Sequence, residues 1–271
     1  MWLNETVSVV LMTYAEKDSI RDVIQEFFDT GVVDEVIVVN NNAEEGTSEQ
    51  VAMTEAREVL EPRQGYGYAT RRGLQEAVGD LVVIAEPDGT FSGRDIFKLL
   101  SYSRDCDAVF GTRTYQTLIW EGANMGHFLR IGNWAVASYV RLIFGSEYLS
   151  DVGCSYRLLR HHVIDQILDK LEIGGSQLGP ELMLRTLLTG ARVVEVPVNY
   201  LPRVGVSSVT GDSRKAVILG LQMIGLITMI RMRTLGKTCR PARMSHRELP
   251  ARSLISPYPI REIADVSEIV N

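Results

Sequence analysis

Two carboxylates stand at the end of an apolar run, in Ile84-Ala85-Glu86-Pro87-Asp88. Acidic side chains spaced i, i+2 can share one hard divalent cation, Mg2+ or Mn2+, which takes oxygen ligands and leaves positions for phosphate. Asp88 and Glu86 are therefore the candidate metal ligands, and with Pro87 they are candidate contacts to a nucleotide diphosphate. The competing reading is a solvated turn, which Pro87 and Gly89 would both favour.

The elements around them decide between the two. Leu81 to Ile84 reads as a strand buried on both faces, as in a parallel sheet. Open α/β sheets place ligands where the chain leaves the carboxyl ends of such strands. Three more loops leave predicted strands in the same way. Thr13-Tyr14-Ala15-Glu16 follows Val7 to Leu11, Asn40-Asn41-Asn42 follows Val36 to Val39, and Gly111-Thr112-Arg113 follows Ala108 to Phe110. Converging on one sheet edge, they would supply an aromatic ring, amides, carboxylates and a guanidinium. That set suits a nucleoside diphosphate. Thr13, Tyr14, Glu16, Val39, Asn40 and Asn41 are the expected nucleoside contacts, and Arg113 the expected phosphate contact.

Between these strands the periodicity predicts helices near Asp18 to Phe28, closed by Gly31, near Thr47 to Met53, from Gly67 to about Val78, and over Asp95 to Tyr102. Arg57 to Leu60 reads as a short strand. The alternation implies an α/β fold, a doubly wound, mostly parallel sheet with helices on both faces. Further on, helices are expected over Phe128 to Phe144, Val163 to Leu171 and Pro180 to Thr189, and a strand over Arg192 to Val198.

Composition excludes several classes. A chain of 271 residues with 45% apolar and 23% charged residues is an ordinary globular protein with a sizeable core. A net charge of -6 argues against general nucleic-acid binding. Cys106, Cys154 and Cys239 lack metal or disulfide spacing. Gly65-Tyr66-Gly67 has Thr70 where the third glycine of a dinucleotide fingerprint would fall, and no GxSxG of a serine hydrolase occurs. A strand begins within a few residues of Met1, so no signal peptide is expected, and the predicted location is cytoplasmic.

The C-terminal part differs. Ala216 to Ile230 carries 15 residues without a charge, about 22 Å as a helix, short of the roughly 30 Å hydrocarbon core of a bilayer. Seven Arg/Lys residues against the single Glu248 follow between Arg231 and Arg252. The expected organisation is a nucleotide-binding α/β domain over 1–212 and an apolar helix with a basic tail over 213–271. That appendage would dock at an anionic membrane surface or a membrane subunit, or fold back as a core helix with a solvated tail. The oligomeric state stays open.

These segments in order resemble family 2 glycosyltransferases. The resemblance rests on Val-Leu-Met-Thr-Tyr-Ala-Glu (10–16), Val-Val-Asn-Asn-Asn-Ala-Glu-Glu-Gly-Thr (38–47) and Gly-Tyr-Gly-Tyr-Ala-Thr-Arg-Arg-Gly-Leu (65–74), with Glu86-Pro87-Asp88 at the DxD position. Gly111-Thr112-Arg113, Asp151 to Arg157, and Pro197 to Gly205 are similar to the dolichyl-phosphate mannose synthase branch. The resemblance covers about residues 6 to 230. It implies a GT-A fold, a divalent metal, an inverting mechanism, a nucleotide sugar as donor and a polyprenyl phosphate as acceptor. By the same resemblance Arg130 is a second phosphate arginine, Arg203 closes over the donor, and Asp151 lies beside the reacting centre. A helix N-cap is the other reading of Asp151.

Asn40 and Asn41 stand where the family has acids, which leaves the base open. A transferase with a hydroxyl acceptor and a non-catalytic nucleotide-sugar-binding homologue are the alternatives. A phosphate monoester, with a second pKa of about 6, is already largely a dianion at neutral pH and needs little base help. A hydroxyl acceptor would instead make Asp151 the base.

Overall fold

Every residue of Val7–Thr13, the first strand (β1), is buried, and so is every residue of Leu81–Ala85 (β4). They sit side by side in the middle of a seven-stranded sheet. In chain order the elements are β1, α1 (Lys17–Asp29), β2 (Glu35–Asn40), α2 (Thr47–Ala52), β3 (Arg57–Leu60), α3 (Tyr66–Glu76) and β4. Then follow α4 (Ile96–Leu100), β5 (Ala108–Thr112), α5 (His127–Phe144), β6 (Arg157–Arg160), α6 (His161–Ile167), α7 (Leu178–Leu188), β7 (Val193–Pro197) and α8 (Ser213–Arg233). The structure is a computed structural model. It describes residues 1–146, 149–205, 213–236 and 239, and for 213–217 the backbone alone.

The strand order is β3-β2-β1-β4-β6-β5-β7. Pairing is parallel throughout except at β6, which runs antiparallel to β4 and β5. The chain leaves β1 toward β2 and β3 on one side and returns to β4 on the other, so the order reverses between β1 and β4. Open α/β sheets bind ligands at such a switch point, beyond the carboxyl ends of the strands. The register Val10↔Ile84 and Leu11↔Ala85 brings Thr13 to Glu16 beside Glu86 to Asp88.

Two cores sandwich the sheet because alternate strand residues point to opposite faces. Val7, Val9 and Leu11 pack with Ile20, Ile24 and Phe27 of α1 and Leu99 of α4. Val10, Met12 and Ile84 pack with Leu74 of α3, Val140 of α5, Leu182 of α7 and Ile227 of α8.

The expected doubly wound, mostly parallel sheet is present. β6 is the element that pattern reading misses. It has four residues, with Arg157 and Arg160 at its ends, and only Leu158 and Leu159 feed the two cores. α6 starts immediately after it, two residues before the expected start, and ends at Ile167 with one 3-10 turn beyond.

α8 is longer than the charge-free run and packs on α5 and α7. Met223, Leu226, Ile227 and Ile230 are buried there, while Ile218, Leu221, Met229 and Met232 are exposed. Its two mid-helix polar groups are used, Gln222 by Gln177 (2.7 Å) and Thr228 by the Tyr139 hydroxyl (2.9 Å). No helix among the described residues is long and apolar enough to cross a membrane. Residues Met1–Pro241 form one compact unit. Most of the basic run expected from Arg231 to Arg252 lies outside the described residues.

Candidate active site

The crevice between the ends of β1 and β4 is built from crossed loops. Ser19 at the start of α1 donates its hydroxyl to the Pro87 carbonyl (2.6 Å), fastening the β1 loop to the acidic loop. Asp88 is 1% exposed. Its Oδ1 accepts from the Thr90 backbone N–H (2.9 Å) and hydroxyl (2.6 Å). Its buried Oδ2 accepts no hydrogen bond and faces the Arg203 guanidinium as an ion pair, a contact of charge more than of hydrogen-bond geometry. The same Arg203 nitrogen lies 3.2 Å from Glu86 Oε2, so one guanidinium bridges both carboxylates.

Arg203 is delivered by the chain after β7. Leu201 N–H donates to the Thr90 carbonyl and Val204 N–H to the Asp88 carbonyl, both at 2.9 Å. This lays residues 201–204 across the acidic loop. Burial, and then the Asp88 charge, push the Glu86 carboxyl up to about 7, against a Ser155 hydrogen bond and the Arg203 charge.

Arg113 and Asp151 form the second pair. The Arg113 backbone N–H and Nε donate to Asp151 Oδ2 at 3.0 and 2.8 Å, and Nη2 donates to Oδ1 at 3.0 Å. Gly153 N–H also donates to Oδ1 at 3.0 Å. Burial alone would raise the Asp151 carboxyl, but the Arg113 charge and hydrogen bonds outweigh it and hold it below its ordinary value. An acid held down and engaged on both oxygens is a poor proton acceptor. It is not an N-cap either, since it starts no helix. The Arg113 guanidinium also lies over the Tyr200 ring, 5.2 Å from its centroid, a cation–π contact.

Glu86, Arg113, Arg203, Ser155, Thr90 and Tyr200 open into one cavity of about 940 Å3. Thr13, Tyr14, Glu16, Asn41, Gln64 and Gly65 line it too, as do Phe128, Leu129 and Val136 of α5 with Leu219, Leu221 and Ile224 of α8. Polar and charged groups thus share one space with apolar side chains of α5 and α8.

The remaining expected residues divide. Tyr14 is exposed at the mouth. Glu16 turns back on its own loop, accepting from the Tyr14 and Ala15 N–H groups (2.7 and 2.9 Å). Asn41 donates to the Glu61 and Arg63 carbonyls and accepts from Gly65 N–H, bracing the loop before α3. Asn40 is held by Ser48 and Glu58 and does not line the cavity, and Val39 lies in the core. Arg130 is likewise not a cavity residue, whereas Asn133 one turn further along α5 is.

Pattern reading also misses Ser155, Thr90, Tyr200 and Gln64. Thr90 carried a local signal, since a hydroxyl two residues after an Asp closes an Asx-type turn. Ser155 and Tyr200 lie inside the family-like segments 151–157 and 197–205, but nothing local gave either a role.

Among the described residues, Glu86 and Asp88 are the side chains at the crevice that could hold a metal. No group of three or more His, Cys, Asp or Glu side chains suited to a metal occurs among the described residues. Two carboxylates with an unbonded buried oxygen fit a hard cation that draws its other ligands from phosphate.

Comparison with known proteins agrees with this geometry. Residues 8–168 match the Glycosyl transferase family 2 profile. An uncharacterized glycosyltransferase of Mycobacterium tuberculosis is 30% identical over 220 residues, 79% of this chain and 94% of that protein. An undecaprenyl-phosphate mannosyltransferase of Micrococcus luteus is 26% identical over 234 residues, 81% of this chain and 94% of that protein. Among solved structures, glucosyl-3-phosphoglycerate synthase from M. tuberculosis in complex with Mn2+, UDP and phosphoglyceric acid superposes with a TM-score of 0.65 at 18% identity. That match covers 89% of this chain and 80% of the other. The sheet and its crevice have the architecture of the GT-A fold. The chain belongs to glycosyl transferase family 2.

Proposed function

We propose that this protein transfers a sugar from a nucleotide sugar, GDP- or UDP-linked, to a polyprenyl phosphate with inversion at the anomeric carbon. The carrying observation is the cavity that the Glu86, Arg113 and Arg203 side chains share with apolar side chains of α5 and α8. A phosphate head fits the first set and a prenyl chain the second. The similarity to an undecaprenyl-phosphate mannosyltransferase supports the same acceptor class.

Asp88 and Glu86 would hold the divalent cation, Mg2+ or Mn2+, which neutralises charge on a leaving diphosphate when bound. Arg203, already paired to both carboxylates, is placed to follow the diphosphate as its charge grows. Arg113 presents its remaining edge to the cavity while Asp151 holds its plane. An acceptor phosphate oxygen attacks the anomeric carbon, and the nucleoside diphosphate departs with the bonding pair. No proton need be removed, which suits a site whose Asp151 is occupied and acidic. The hydroxyl-acceptor alternative lacks a base there.

Peripheral association with the cytoplasmic membrane face belongs to the same reading. Phe128 and Leu221 are both exposed and both line the cavity, so they flank an apolar mouth. α8 and the basic residues after it form the docking element, at about 1 kcal/mol per Lys or Arg held near anionic lipid. Transfer assays pairing UDP- and GDP-sugars with undecaprenyl phosphate, dolichyl phosphate and a prenol test the assignment. Turnover with a prenol and none with the phosphates would overturn it. Nucleotide binding without turnover for any pair would make the chain a non-catalytic binder.

A further inference from the structure

Glu195 lies outside the cavity, yet it touches the loop that shapes it. It sits on β7, paired in register with Phe110 of β5. Its Oε2 accepts from the Ser150 backbone N–H (2.8 Å) and hydroxyl (2.5 Å), and its Oε1 from the Asp151 backbone N–H (3.0 Å). The Ser150 hydroxyl is shared further with the Thr112 and Thr114 hydroxyls at 2.8 and 2.9 Å. These two threonines flank Arg113. One carboxylate therefore ties the 149–153 loop to β7, and the hydroxyl cluster ties the same loop to the residues on either side of Arg113.

We propose that Glu195 is a positioning residue of the transfer site: it holds the Asp151 backbone so that the Asp151 carboxylate grips Arg113 in one orientation. The chemistry of the three donors requires a carboxylate. Both oxygens must accept, and a glutamine would turn an NH2 toward at least one N–H or O–H donor. Retaining the charge is costly, since burial pushes the Glu195 carboxyl up to about 7 against the pull of those hydrogen bonds. Groups displaced in this way cluster at functional sites. Both oxygens of the Asp151 carboxylate are engaged by Arg113 and Gly153, which fixes its orientation.

The proposal rests on Arg113 serving the transfer site, so the deciding measurement needs no substrate. The Arg113 side-chain Nε–H, bonded to Asp151 Oδ2 at 2.8 Å, is followed by 15N NMR in wild type, Glu195→Gln and Ser150→Ala. Its exchange with solvent should rise roughly tenfold in Glu195→Gln, a change of about 1.4 kcal/mol in opening. It should rise less in Ser150→Ala, while the Arg157 Nε–H, bonded to the Cys154 carbonyl, keeps its rate. An unchanged Arg113 signal in a folded Glu195→Gln overturns the proposal, as does an equal rise at Arg157, which would mean general loosening. Should Glu195→Gln not fold, Ser150→Ala decides alone by the same criterion.

Activity adds a second arm. Glu195→Gln should lower kcat in the wild type and have little further effect in an Arg113→Lys background. Full additivity there would overturn the coupling. A wild type inactive with every donor and acceptor would sink the proposed function and leave the NMR result standing.

Discussion

Replacing Asp88 by Asn keeps the oxygen that accepts from Thr90 and removes the charge that faces Arg203. The loop geometry should survive and the site chemistry should not. We expect turnover to fall roughly 10²- to 10³-fold, and the thermal shift induced by nucleotide with Mn2+ to disappear while the metal-free unfolding temperature changes little. An unchanged ligand-induced shift would remove Asp88 from the metal site. Arg113→Lys tests a different property. The guanidinium meets Asp151 as a planar fork and stacks on Tyr200, neither of which a lysine ammonium reproduces. Steady-state kinetics should show turnover reduced at least about tenfold, with lysine failing to rescue. Wild-type rates in the lysine variant would show that point charge alone suffices.

At the scale of elements, the contact between α3 and the 172–175 segment is set by glycine. An added Cβ on Gly67 would lie 2.2 Å from the Ile173 carbonyl oxygen and 2.7 Å from Gly174 C, both backbone atoms that cannot swing aside. Gly67 N–H also donates to the Gly174 carbonyl at 2.8 Å. Gly67→Ala should therefore cost about 1–3 kcal/mol, measured by denaturant unfolding. Because Gly65, Tyr66 and Gly175 line the cavity, nucleotide affinity should fall with it. A variant as stable as wild type would show that the two segments part easily.

The α5–α8 pair supports another test. Four buried residues of α8 anchor the helix at roughly 1.5–3 kcal/mol each, so its exposed residues are free to be altered. The double variant Phe128→Glu with Leu221→Glu should abolish co-sedimentation with anionic vesicles and lower activity on a lipid-linked acceptor. Nucleotide binding should persist. Vesicle binding that withstands both changes would place the docking surface elsewhere.

Taken as a whole molecule, the protein should show opposed pH dependences. Asp151, Asp80, Asp107 and Glu61 are held below their ordinary values. For each the folded state binds its proton less tightly than the unfolded chain, so its stabilisation is present above the unfolded value and is lost as pH falls through the folded one. Glu86 and Glu195 are pushed up to about 7 from an ordinary 4.5. For them the folded state binds the proton more tightly. Their contribution is full below 4.5 and is lost as pH rises toward 7. The metal-free protein should thus lose stability between about pH 4.5 and 7 and level off above. Glu195→Gln should flatten part of that decline. Thermal unfolding across pH 4 to 8 reads both, and a wild-type curve that rises through this window would refute the assignment of the two glutamates.

Hydrophobic runs and their punctuation were enough to place the strands β1, β2, β4 and β5 and the helices between them, because burial on a sheet depends on residue type at period two and on loops that stop the run. They also placed Glu86 and Asp88 at a strand end, where sheet topology makes a site. Sequence order could not decide which way a side chain turns once several loops meet. Asn40, Asn41 and Glu16 carry the polar groups that a nucleoside would want, and in the fold they also bond neighbouring groups, side chains for Asn40 and backbone for Asn41 and Glu16. Arg203 lies 115 residues beyond Asp88 in sequence, and only folding brings the two opposite charges together. β6 and Glu195 were invisible for the same reason. A four-residue strand and a lone acid on an edge strand gain their meaning from partners remote in the chain, and those contacts exist only after the core has closed.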